Sequence, residues 1–117
     1  MTLNRRSKDW VSARGETVVD GAPATCRLLD DLHQALGEPD SESGADWIAT
    51  DWGLHYLHYN SGRGSSWPWS QVAGVALAHR GLVFSRVRVV AGDADMTWSL
   101  GRKAAGSLVT IAAAQAS

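Results

Sequence analysis

The side chains of this 117-residue sequence best suited to chemistry are four histidines, one cysteine and a scatter of arginines. His55 and His58 are metal-ligand types, with His33, His79 or Cys26 as further ligands. On a strand, however, residues three apart point to opposite faces, so the two do not share one ion. They read as strand-surface histidines, and no metal site and no cofactor is assigned. Cys26 with a histidine base would be the most economical nucleophile, and a helix start beside it would lower its pKa. No Gly-rich nucleophile elbow and no cysteine-hydrolase signature surrounds it, so the chain reads as a non-enzyme, with a small Cys26 hydrolase as one alternative. Asp93-Ala94-Asp95 lacks the later oxygen ligands of a calcium loop. Gly62-Arg63-Gly64 lacks the Lys-Ser/Thr of a phosphate-binding loop.

Two sets of side chains point to binding instead. Arg63, Arg80, Arg86 and Arg88 are candidates for contact with anions. Six tryptophans are more than a small core needs. Trp69 and Trp98 are placed as core, while Trp10, Trp47, Trp52 and Trp67 are interface candidates.

Length sets one domain, able to bury roughly two-thirds of its unfolded surface without metal or disulfide. A net charge of −1 argues against a general polyanion binder, so nucleic acid is disfavoured. A single cysteine cannot form an internal disulfide. With neither a transmembrane segment nor a secretory h-region, the expectation is a cytoplasmic chain.

The elements that must position these residues follow from periodicity. Residues 1–13 are expected to be loosely held, with Trp10 and Val11 packing back onto the domain. Thr17, Val18 and Val19 form a strand nucleus that Gly21-Ala22-Pro23 ends. Residues 26–36 have helical spacing, with Thr25 as N-cap and Gly37 at the C-cap, so a helical insertion is expected near 25–37. An acidic loop follows over 38–44. Residues 47–50 and 53–59 pair across Asp51-Trp52-Gly53, where Gly53 could supply a positive φ. The central stretch 66–77 reads as one strand entered at Pro68 and bulged near Gly74, because Trp69, Val72 and Val75 repeat every three residues rather than two. Residues 82–90 and 95–100 make a hairpin around 91–94, with Met96, Trp98 and Leu100 on its dry side and Arg86, Arg88 and Phe84 on the other side. Ala104, Leu108, Ile111, Ala112 and Gln115 mark a C-terminal helix, capped by Ser99.

The fold class is therefore α+β: a strongly bent antiparallel sheet or partly open barrel of about seven strands, closed by a C-terminal helix. The chain resembles the bacterial pleckstrin-homology-like domains, related in fold to the PH and GRAM modules. The resemblance rests on Gly15-Glu16-Thr17-Val18-Val19, on 47–54, on Trp67-Pro68-Trp69-Ser70-Gln71-Val72 with Val75, and on the closing helix, and covers about residues 14–116 of a single domain over 14–117. It implies a non-catalytic binding scaffold acting through protein contacts, self-association included. A peripheral module for anionic lipid is the alternative.

Overall fold

The computed structural model describes residues 3–26, 45–60 and 62–116. Helix α1 (Arg5–Ala13) leads into β1 (Val18–Cys26), β2 (Ala45–Thr50), β3 (Gly53–His58) and β4 (Arg63–Pro68). A 3-10 turn over Trp69–Gln71 connects to β5 (Val72–Arg80), β6 (Phe84–Ala91) and β7 (Ala94–Gly101), and helix α2 (Arg102–Ala116) ends the chain. The seven strands form one antiparallel sheet in the order β4-β3-β2-β1-β7-β6-β5, which does not close into a barrel. This is the α+β architecture expected from the sequence.

β1 joins the two halves. Its first part pairs with β2, from Val18 opposite Thr50 to Pro23 opposite Asp46, and its last three residues pair with β7. Pro23 does not end the strand. It sits at the change of partner, where a missing N–H costs the ladder least.

The central stretch is two strands rather than one. Pro68 closes β4 with φ −62° and ψ 153°, and the chain then turns through one 3-10 helical turn. The Trp69 indole N–H donates to the Thr50 carbonyl at 2.9 Å, so the corner is tied to the β2–β3 turn. The expected bulge is present: the β5–β6 register shifts between Val72 and Gly74.

Burial follows from what covers each face. The main core gathers Trp47, Leu54, Tyr56 and Trp67 from one half of the sheet with Val87, Val89, Met96, Trp98 and Leu100 from the other. Ala105 and Leu108 of α2 seal it. Ser99 is within β7, opposite Arg86, and does not cap this helix; Gln115 is exposed. A second cluster, Leu3, Val11, Ile48 and Leu57, lies beneath α1.

Within residues 3–13, helix α1 docks on the sheet. Asn4 caps α1 by accepting from the Arg6 N–H at 2.9 Å, and the buried Asp46 carboxylate accepts from the Ser7 hydroxyl at 2.7 Å and the Asn4 N–H at 3.0 Å. A carboxylate at a helix N-terminus is also favoured by the peptide dipoles. The expected helix over 26–36 and loop over 38–44 lie outside the described residues, apart from Cys26. Thr25 and Cys26 are strand residues opposite Ser99 and Trp98. Among the described residues, no helix is long and apolar enough to cross a membrane.

Candidate functional site

The densest polar constellation is one the sequence did not reveal. His55 on β3 is fully buried, not a strand-surface histidine. Its Nδ1 lies 2.7 Å from Ser66 Oγ and its Nε2 lies 2.6 Å from Glu16 Oε1. His55 and Ser66 are directly opposed in the β3–β4 ladder, whereas Glu16 arrives from the segment before β1. A carboxylate can only accept, so Nε2 carries the proton toward Glu16 and Nδ1 accepts from the Ser66 hydroxyl.

Thr50 Oγ1 also donates to Glu16 Oε1, at 2.6 Å, and Arg14 Nε donates to Glu16 Oε2 at 2.7 Å. The imidazole is enclosed by Trp10, edge-on at 5.0 Å between centroids, and Trp52, stacked at 5.3 Å with 11° between planes. The Arg14 guanidinium covers both indoles, 4.7 Å and 5.3 Å from their centroids.

Burial pushes the His55 imidazole below its ordinary value, Arg14 adds to this, and Glu16 offsets only part of it. Burial alone would raise Glu16, but hydrogen bonds from Thr50, Arg14 and His55 outweigh it and hold the carboxyl below its usual range. The pair is therefore a neutral imidazole beside a carboxylate. Carboxylate, imidazole and hydroxyl in series resemble an acyl-transfer triad in composition, but the ring has no exposed surface on which to meet a substrate. What the arrangement does is fasten α1, the start of β1 and the β3–β4 hairpin to one another.

The four arginines singled out in the sequence do not converge. Arg63 lies on β4, at the opposite edge of the sheet from β5. Arg88 is engaged bidentately by Asp95, with Nε to Oδ1 at 2.9 Å and a terminal nitrogen to Oδ2 at 2.6 Å, and these bonds hold Asp95 below its usual range. Ladder register separates the other two. Arg86 opposes His79 and is exposed, with Val87 and Val89 buried on the other face. Arg80 opposes Ser85, which shares the inward face with Val87 and is itself buried. The outer face of the β5–β6 hairpin thus carries Phe84, Arg86 and Arg88. The inner face carries Leu77 and Arg80 and looks toward α2.

The tryptophans are also redistributed. Trp47 and Trp67 are core residues, so neither supplies interface area. Trp10 is half-buried against His55, and Trp69 is half-buried at the corner. Trp52 keeps 41% exposure. The exposed apolar surface is instead at the β5–β6 hairpin tip, where Leu82, Val83 and Phe84 are 94%, 69% and 66% exposed. Three consecutive apolar residues after Arg80-Gly81 are the sequence signal for it, and they also fit the start of a strand.

His58 is half-buried on β3, and His79 is exposed on β5. Among the described residues, no group of three His, Cys, Asp or Glu is placed to hold a metal. No protein-family model and no curated protein sequence matches the chain.

Proposed function

We propose that this chain is a non-catalytic, PH-like binding module that acts through protein contacts, with a second copy of itself as the partner. One observation carries the reading: the hairpin tip Leu82-Val83-Phe84 presents three adjacent apolar side chains to water, on the strands at one end of the sheet. Single exposed apolar residues are ordinary, but a contiguous group beside an edge strand is what monomers usually avoid. β5 is that edge strand, nine residues long and mostly exposed. Two copies placed edge to edge about a two-fold axis would pair β5 with β5 antiparallel and cover both tips, a self-complementary contact. The PH-like part of the reading is supported by the strand order and the C-terminal helix.

The test is light scattering after size-exclusion chromatography at two protein concentrations, on the wild type and on Leu82→Ser with Phe84→Ser. Both positions are exposed, so the double variant keeps the fold. A wild-type dimer that becomes a monomer in the variant supports the reading, and a wild-type monomer at both concentrations overturns self-association.

A second reading, attachment to an anionic membrane surface, is favoured by Arg86 sharing the outer face with Phe84. Here Arg86→Ala reduces sedimentation with phosphatidylserine vesicles. Arg88→Ala combined with Asp95→Ala leaves it unchanged, since the two form a neutral pair.

A further inference from the structure

Between the inner face of the β5–β6 hairpin and the first turns of α2 lies a cleft of about 660 Å³, within the range that holds small organic ligands. Its lining includes Arg80 from β5 with Arg102 and Lys103 from the first turn of α2, and no acidic residue. Leu77 and Val109 give it an apolar wall. Ser85 also lines it; this side chain is 1% exposed, and its hydroxyl makes no hydrogen bond among the described residues.

These features conflict with folding alone. The N-terminal turn of a helix presents unpaired N–H groups and partial positive charge, so acidic side chains are favoured there and basic ones disfavoured. α2 has no acidic residue in its first turn and begins Arg102-Lys103, with Arg80 facing the same space. The Ser85 hydroxyl adds a further donor on the cleft wall. An anion in the cleft would satisfy all of these groups together.

We propose that this cleft binds a phosphate monoester, its phosphate held by Arg80, Arg102, Lys103 and the Ser85 hydroxyl and its organic part against Leu77 and Val109. Phosphate suits the site because its several oxygens accept from guanidinium, ammonium and hydroxyl donors at once. The apolar wall selects an ester over the bare ion. The ester comes either from a soluble metabolite or from a lipid headgroup. The inference is independent of the hairpin-tip reading, because the cleft lies on the opposite face of the hairpin from Phe84.

The test is titration calorimetry with phenyl phosphate and with inorganic phosphate, alongside sedimentation with phosphatidylcholine vesicles with and without phosphatidic acid. Phenyl phosphate is expected to bind more tightly than inorganic phosphate. Arg102→Ala with Lys103→Ala weakens it by about tenfold or more, as loss of charge-assisted bonds predicts. The same variant has a raised melting temperature without ligand, because the clash with the helix dipole is removed. Gly106→Leu fills the cleft while keeping every charge, and it abolishes binding. Arg86→Ala, on the outer face, has no effect on phenyl phosphate binding.

Binding to phenyl phosphate assigns a soluble ester, and binding confined to phosphatidic acid vesicles assigns a headgroup. The proposal is overturned if neither probe binds, if binding survives Gly106→Leu, or if Arg86→Ala weakens phenyl phosphate binding as much as the double variant.

Discussion

At the scale of the residue, His55 shows how a titratable ring is made into a fastener. Enclosed by Trp10 and Trp52 and bonded at both nitrogens, it is held neutral, while Arg14 answers the charge of Glu16 and covers both indoles. Both His55 and Glu16 bind protons less readily in the fold than their ordinary values of 6.5 and 4.5 imply. The unfolded chain therefore takes up protons first, and stability is lost on acidification. It is complete above pH 6.5, declines as pH falls below that value, and declines again below 4.5 as the Glu16 carboxylate is protonated. His55→Gln removes the first decline and keeps the second, and at pH 7 it costs about 1–3 kcal/mol, because Glu16 and Ser66 lose a buried partner. Urea unfolding at a series of pH values measures both effects, and an unchanged decline just below 6.5 would exclude His55 as its source. None of this constellation was legible in the sequence. Glu16, His55 and Ser66 belong to three separate segments, and only the β3–β4 register brings two of them face to face. The Arg102-Lys103 pair, basic where a helix should begin with acidic residues, went unread in the sequence, and its meaning depends on Arg80 and Ser85 across the cleft.

At the scale of the element, the glycines separate conformational need from spatial need. Gly53 does not adopt the positive φ expected of it; instead a Cβ there would run into the Trp67 carbonyl oxygen. The β2–β3 turn lies that close to β4, so Gly53→Ala must push backbone against backbone. It is expected to cost about 1–3 kcal/mol or more in thermal unfolding, as overpacking does. At Gly74, in the bulge, a Cβ would meet nothing within 4 Å and φ is not positive. Gly74→Ala is therefore neutral or slightly stabilising, by up to about 1 kcal/mol. A loss at Gly74 equal to that at Gly53 would refute the distinction. The hairpins and the C-terminal helix were readable because local periodicity dictates them, in β6 and β7 most plainly, where one face is wet. The 3-10 corner after Pro68 was not, since its apolar residues at a spacing of three fit a bulged strand equally well. α1 was obscured by its charged sequence: its docking relies on Leu3, Ser7, Trp10 and Val11, too narrow a stripe to stand out.

At the scale of the whole molecule, the sheet is covered on different sides in its two halves. The β2–β3 hairpin is buried on both faces, by the main core on one and by α1 on the other, which is why its apolar residues run on without alternation. Ile48 is the central contact beneath α1. Ile48→Ala is expected to cost about 2–5 kcal/mol. It should also speed hydrogen exchange in α1 while leaving the β5–β6 hairpin unchanged; equal acceleration in both would mean that the molecule responds as one unit. The seam between the halves has a consequence for how the chain reaches this state. β2-β3-β4 and β5-β6-β7 are each assembled from neighbours in sequence, and their turns can close quickly. β1 is different: it must reach β2 with its first half and, with its second, β7 near the far end of the chain. Closure of that long loop is the slow, entropically costly event. Two preformed meanders are thus expected to wait for a single nine-residue strand, and the folding rate of the protein is the rate at which β1 is inserted between them.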